Sequence, residues 1–312
     1  MRIVFMGTPD FAVESLKILI ENKYDVVGVI TMPDKPAGRG HKVQFSPVKQ
    51  YAIEHNLTLL QPEKLKDESF LDELRALKAD LQIVVAFRML PEVVWNMPKF
   101  GTFNLHASLL PQYRGAAPIN WAIINGEKET GATTFFLTQE IDTGKIIQQE
   151  KIGISETDNA GTVHDRLMVM GAKLVKKTVD LLLEGKIDAV DQIRYVNKET
   201  KLKSAPKIYK ETCEINLRLG VKRINNFIRG LSPYPGAWVE VQFPNQNEKV
   251  ILKIFEVDIE KCKKPEKIRT LITDGKKTAK IAVLDGYINL KSVQVAGKKR
   301  MEIGELLRGM HF

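Results

Sequence analysis

The residue types that could carry out acyl chemistry gather between Phe100 and Gly144, above all in the run from Asn104 to Pro118, NLHASLLPQYRGAAP. The apolar segment Gly101–Leu105 predicts a short buried strand. Residues two apart on a strand share a face, so Asn104 and His106 project together near its C-terminal end. Asn104 brings a neutral amide donor, and His106 an imidazole able to titrate near neutral pH. Leu109-Leu110-Pro111 is expected to end the strand, because proline has no N–H for the ladder. Further on, Glu140-Ile141-Asp142-Thr143-Gly144 sets a carboxylate in a turn. Amide, imidazole and carboxylate together suit acyl transfer without a covalent nucleophile: the donors hold an oxyanion, and the His–Asp pair manages protons. By itself His106 reads as a buried structural histidine, and Asp142 as a turn aspartate capping Thr143-Gly144. Asn104 just before His106, and Ser108-Leu109-Leu110-Pro111 just after it, favour catalysis.

These side chains need strands that deliver them to one edge. Arg2–Met6 is an apolar run closed by Gly7, the mark of a buried parallel strand. Gly7-Thr8-Pro9-Asp10 makes the turn, and residues 12–22 an amphipathic helix. The dinucleotide fingerprint G-x-G-x-x-G is absent, since only Gly7 is present, so no nicotinamide cofactor is expected. Strands at 25–31, 57–60 and 81–86 alternate with helices at 47–55 and 69–78. This alternation indicates a Rossmann-like α/β domain with a parallel sheet and crossover helices. Ligands of such sheets sit beyond the carboxyl ends of the strands, where Gly7, Phe87-Arg88 and Asn104–His106 fall. Residues 32–45 form a loop rich in Pro, Gly and basic side chains.

A helix at 118–125 and strands at 133–137 and 145–154 follow. In the helix 162–184, Val163, Leu167, Met170, Leu174 and Leu181 recur at helical spacing, with Met168 and Met170 as core filling. Gly185 takes the usual glycine stop position. Residues 1–185 thus form one domain, 186–205 a polar linker and 206–312 a second domain. The second domain carries a helix at 216–230 and short strands at 237–243, 249–257, 278–283 and 287–293, the spacing of a small antiparallel barrel.

Composition agrees with two domains of an ordinary globular protein: 312 residues, 44% hydrophobic and 27% charged. No apolar run is long enough to span a bilayer, and the opening is too short for a signal peptide. A cytoplasmic protein without a membrane partner is expected, with Cys213 and Cys262 reduced. His and Cys are too scattered for a ligand set, so no metal is expected. The net charge of +9 lies wholly in residues 206–312, with 21 Lys+Arg against 12 Asp+Glu, whereas residues 1–205 hold 26 of each. A small-molecule site joined to a polyanion-binding module fits this asymmetry, as does a merely basic soluble surface.

The run His106–Pro118, together with Ile141-Asp142-Thr143-Gly144, resembles the folate-dependent formyltransferases, which move a formyl group from 10-formyltetrahydrofolate to an amine. Three further stretches are Met6-Gly7-Thr8-Pro9-Asp10-Phe11-Ala12, the loop Pro33–Gly40 and Lys298-Lys299-Arg300-Met301. They make the chain similar, essentially end to end, to the branch of that family acting on methionyl-initiator tRNA in translation initiation.

The resemblance implies a catalytic trio of Asn104, His106 and Asp142. It also implies that Ser108, Leu109, Leu110, Pro111 and Gln112, with Phe87 and Arg88, hold the pterin, extended backbone offering N–H and C=O groups to the ring edge. A loop carrying Lys35, Arg39 and Lys42 would wedge into the acceptor stem, and an OB-like C-terminal domain would help hold the tRNA. In the expected chemistry the methionyl α-amine attacks the formyl carbon. Asn104 and His106 donate to the formyl oxygen, while Asp142 orients His106 and helps proton transfer. A monomer is expected.

One departure from the family is Ala86-Phe87-Arg88, where Ala-Tyr-Gly is usual. Glycine permits a backbone conformation that arginine disfavours, and a solvated surface role for Arg88 has equal standing. Rival readings are an amino-sugar formyltransferase, a 10-formyltetrahydrofolate hydrolase and a non-catalytic RNA-binding protein on the same scaffold. The basic C-terminal third and the 33–42 loop argue against the first, and the intact trio against the last. The trio alone leaves the hydrolase open, because water could replace the amine.

Overall fold

Strand β1 (Arg2–Gly7) forms where Ile3, Val4, Phe5 and Met6 are apolar on both faces, and all four are fully buried. Gly7 is required where the chain turns into α1 (Asp10–Glu21): a Cβ there would lie 2.6 Å from Ala12 Cβ and 3.0 Å from the Val85 carbonyl. β2 (Asp25–Ile30) follows, and then two short paired strands, β3 (Lys35–Ala37) and β4 (Lys42–Gln44), inside the stretch expected as loop. Next come α2 (Pro47–Glu54), whose first turn is capped by the Ser46 hydroxyl accepting from Lys49 N–H at 3.1 Å, then β5 (Leu59–Leu60) and α3 (Glu68–Ala76). Then come β6 (Leu81–Val85), a short α4 (Glu92–Trp95), β7 (Thr102–His106), α5 (Pro118–Ile124), β8 (Glu129–Phe136), β9 (Ile146–Gly153) and the long α6 (Ala160–Leu183). Gly185, at φ 65°, stands just beyond α6 as expected. The structure is a computed structural model describing residues 1–37, 42–197, 199, 201–244 and 248–309.

The seven-stranded sheet runs β5-β2-β1-β6-β7-β8-β9. Pairs from β5 to β7 are all parallel, and β8 lies antiparallel to β7. The strand order reverses between β1 and β6, the switch point beyond which α/β sheets bind ligands. β7 ends at His106, paired with Thr133, one residue beyond the strand expected over Gly101–Leu105 and ahead of Leu109-Leu110-Pro111. The Thr133 hydroxyl brings this about: it donates to the Ser108 carbonyl at 2.6 Å and accepts from Leu110 N–H at 3.1 Å, drawing the chain out of the ladder.

After residue 205 come α7 (Val221–Gly230), β10 (Ala237–Val241), β11 (Val250–Lys261), β12 (Leu271–Thr273), β13 (Ala279–Val283), β14 (Gly286–Val295), β15 (Met301–Glu302) and α8 (Ile303–Arg308). The strands make a curled antiparallel half-barrel in the order β10-β11-β14-β13-β12, with β15 added to β14. Its core holds Ile224, Ile228, Val239, Leu252, Ile281, Ile288 and Leu306. α7 starts five residues later than its apolar pattern implies, because Asp285 Oδ1 accepts Val221 N–H at 2.7 Å and caps the helix from another element.

Two compact units result: Met1–Gly115, Thr130–Ile152 and His164–Ser204 in one, and Ala116–Glu129, Gly153–Val163 and Ala205–Phe312 in the other. Within residues 186–205, expected as a linker, Val190 and Lys203 bond to the first unit. Val190 exchanges backbone bonds of 2.8 and 2.9 Å with Ile146, and Lys203 O accepts Tyr113 N–H at 2.7 Å. In the second unit Asn120 Nδ2 of α5 donates to Gly230 O of α7, and Trp121 Nε1 to Pro206 O, each at 2.8 Å. Among the described residues no helix is long and apolar enough to cross a membrane.

Candidate active site

His106 is the last residue of β7 and is buried, 6% exposed. Its Nε2 lies 2.9 Å from the Tyr113 carbonyl. A carbonyl can only accept, so this bond requires a proton on Nε2 and leaves Nδ1 as the ring position open to chemistry. Nδ1 faces Asp142 Oδ2 at 3.8 Å, too long for a hydrogen bond but within ion-pair range once the ring is protonated. The ring is therefore held by Tyr113 rather than oriented by Asp142, as had been expected. Asn104, two residues back on the same face of β7, is half-buried.

Asp142 sits in the turn between β8 and β9 at φ 55°, a left-handed conformation that costs a non-glycine residue energy and so needs outside support. That support comes from several directions. Gly115 N–H donates to Asp142 Oδ2 at 2.9 Å, and Gln192 Nε2 donates to the carbonyls of Asp142 at 2.8 Å and Gly144 at 2.9 Å. Gln192 Oε1 accepts from Arg114 Nε at 3.1 Å and Nη2 at 2.6 Å.

The segment expected to meet the pterin is preformed. Ser108 Oγ donates to Gln112 O at 2.6 Å, and Gln149 Nε2 donates to Leu110 O at 2.7 Å and to Thr133 Oγ1 at 2.9 Å. Gln112 is engaged at both ends of its amide, donating to Lys201 O at 3.1 Å and accepting from Lys203 N–H at 2.9 Å. Leu110 and Pro111 are buried, and Leu109 is half-buried. The Leu110 N–H and C=O and the Gln112 C=O thus already have protein partners, so the segment offers chiefly a rigid apolar wall.

Phe87 is half-buried against the core that contains Val84 and Leu90. Arg88 is not a solvated side chain: Nη1 donates to Glu63 O at 2.7 Å, and Nη2 to Pro62 O. Burial holds its pKa below the ordinary guanidinium value. The positive φ in this loop, 47°, belongs to Ala86 and not to Arg88, so arginine stands in the usual glycine place without that strain. Lys35 and Lys42 are on the paired backbones of β3 and β4, while Arg39 lies outside the described residues.

The formyl transferase family matches residues 1–179, and the formyl transferase C-terminal domain matches residues 207–311. The methionyl-tRNA formyltransferase of Bacteroides fragilis is 62% identical across all of this chain and 95% of its own length. That of Flavobacterium johnsoniae is 54% identical across all of this chain and 97% of its own. The chain belongs to the methionyl-tRNA formyltransferase family.

Among solved folds, the sugar 3N-formyl transferase WlaRD superposes with a TM-score of 0.64 at 22% identity, covering 96% of this chain and 99% of its own. At that identity it speaks for the fold alone. The sequence of this chain hides four contributors to the site: the Tyr113 carbonyl, the Gly115 N–H, Thr133 and Gln192. Two of them act through backbone atoms, which no residue type advertises. Gln192 is one of two amides, with Asn197, in a polar stretch without periodicity.

Proposed function

We propose that the protein transfers the formyl group of 10-formyltetrahydrofolate to the α-amine of methionyl-initiator tRNA, acting as a monomer in the cytoplasm. The observation that carries the mechanism is the arrangement around His106: Nε2 fixed by a carbonyl, and Nδ1 facing a carboxylate at 3.8 Å. The amine attacks the formyl carbon, and negative charge grows on the formyl oxygen, where the Asn104 amide donates. His106 Nδ1 takes the proton that the attacking nitrogen must lose. Asp142 stabilises the imidazolium, and the proton passes to N10 of tetrahydrofolate as its bond to the formyl carbon breaks.

For the folate itself the residues present fit an apolar, preformed slot. The segments 86–91 and 107–112 leave the adjacent strands β6 and β7 at the same sheet edge, and the half-buried Phe87 and Leu109 supply apolar surface, backed by Leu110 packed against Phe135 and Ile146.

Support for the RNA partner comes from the second unit. A groove of about 450 Å³ is lined by Lys207, Lys210 and Lys253 with Tyr209, Tyr234 and Trp238, and no acidic side chain is among its lining. Cations for phosphates beside aromatic faces for bases suit a nucleic acid. The 33–42 loop, with Lys35, Arg39 and Lys42, is the second RNA element of this reading.

The test is incubation with 10-formyltetrahydrofolate and initiator tRNA charged with methionine, with uncharged tRNA and a nucleotide-linked amino sugar as controls. Formylmethionine formed on the charged tRNA alone is the expected result. Formylated sugar, or formate released at equal rates without any acceptor, overturns it.

A further inference from the structure

The strongest relationship not yet given a role is the set of bonds around Gln192. This residue lies in the segment expected to be a connector, yet it is only 4% exposed. Its amide has two donor hydrogens and one oxygen with two lone pairs. The hydrogens go to the carbonyls of Asp142 and Gly144, and the oxygen receives both Arg114 contacts. An amide buried and filled to capacity is a fixed strut, since leaving any of these groups unpaired in the interior is unfavourable.

The strut closes a ring through the site. Arg114 is covalently joined to Gly115, whose N–H holds the Asp142 carboxylate, and the Asp142 carbonyl returns to Gln192. Asp142 is thereby gripped at both ends, carbonyl and carboxylate, while its backbone sits at φ 55°. Without the grip on the carbonyl, the turn is free to relax to a commoner backbone conformation, which swings the carboxylate away from His106 Nδ1. The strut itself is anchored: Val190 is tied to Ile146 at the start of β9, and Ser204 bridges Arg114.

We propose that Gln192 is a positioning residue for formyl transfer, holding the Asp142 carboxylate in register with His106. This rests on the assignment of Asp142 as a catalytic group. Gln192→Glu keeps the shape and the Arg114 contact but removes both donors. Gln192→Met removes all four bonds without adding charge. Displacements near one ångström cost about a hundredfold, so both variants are expected to lower kcat roughly ten- to a hundredfold, with KM for folate and for tRNA changed less than twofold.

Two readouts separate positioning from a merely structural role. Amide hydrogen exchange at Gly115, whose N–H is bonded to Asp142, is expected to quicken in both variants. In the Asp142→Asn background, Gln192→Glu is expected to add little further loss, because the two act through one group. A lowered melting temperature with unchanged kcat and unchanged Gly115 exchange overturns the proposal. So does a full additional loss of rate on top of Asp142→Asn. Near-normal turnover by Asp142→Asn alone would instead remove the catalytic reading on which the proposal stands.

Discussion

The Tyr113 carbonyl holds the Nε2–H of His106 at 2.9 Å, and this bond decides which ring nitrogen faces Asp142. A neutral imidazole locked in that tautomer presents a lone pair from Nδ1, so His106 is set up as a base that becomes a donor after it takes a proton. Asp142 matters for the charge that follows. Asp142→Asn can keep its bond from Gly115 through the amide oxygen, yet it cannot stabilise an imidazolium. The variant is expected to fold normally and to lose roughly a hundredfold to ten-thousandfold in single-turnover formyl transfer. Retention of more than a tenth of the rate would remove the carboxylate from the proton path.

The lysines of the second unit's groove make a separate prediction. Lys207→Ala with Lys210→Ala should weaken initiator tRNA binding in the full-length chain while leaving folate binding unchanged. If each lysine contacts one phosphate of the acceptor duplex, the slope of log affinity against log salt should fall by roughly 0.9 per lysine. An unchanged slope would relocate the RNA contact. The full chain is the proper material, because a cut at residue 205 would strip α5 of its bonds to Pro206 and Gly230.

Most of the scaffold is legible in the sequence. The largely apolar runs of β1 and β6, the latter broken only by Gln82, read as buried parallel strands, and the stripe through Val163, Leu167 and Leu174 as one helix face. What escaped was set by partners distant in sequence. Asp285 decides where α7 begins, and β3 and β4 exist as a pair too short for any periodicity. The site divides along the same line. Asn104, His106 and Asp142 announce themselves by type and spacing. Tyr113 and Gly115 contribute through main-chain atoms, and Gln192 reaches the turn from 50 residues away.

Gly144 offers a test of how tightly the Asp142 turn is placed. A Cβ there would lie 1.7 Å from the Phe136 carbonyl oxygen, so the backbone itself must move. Gly144→Ala is expected to lower formyl transfer at least tenfold, since a displacement near one ångström costs about a hundredfold. Gly153→Ala, at the other end of β9, is the control: its nearest atom would be 4.0 Å away. Equal activity in the two variants would show that the turn tolerates displacement.

Arg229 carries the last prediction, on stability rather than catalysis. It is 7% exposed on α7, and its Nη1 donates to the carbonyls of Ser155 and Asp158, each at 2.9 Å, while Nε donates to Asn226 Oδ1 at 3.0 Å. Burial lowers its pKa from the ordinary guanidinium value, against the pull of the nearby Glu156 and Asp158 charges. The side chain ties the 153–158 segment to α7 within the second unit. Arg229→Met fills similar space but removes the guanidinium donor from both carbonyls, leaving that of Ser155 with the longer 3.3 Å bond from Asp158 N–H. Hydrogen bonds from a charged group contribute about 1.5–3 kcal/mol each, so a loss of roughly 3 kcal/mol is expected from urea unfolding of the full chain. Arg229→Lys keeps the charge but lacks the planar fork that reaches both carbonyls and Asn226 together, so it should recover only part of the loss. A change below about 0.5 kcal/mol, the size of an ordinary surface substitution, would mean that the bonds to Ser155 and Asp158 do not hold this segment in place.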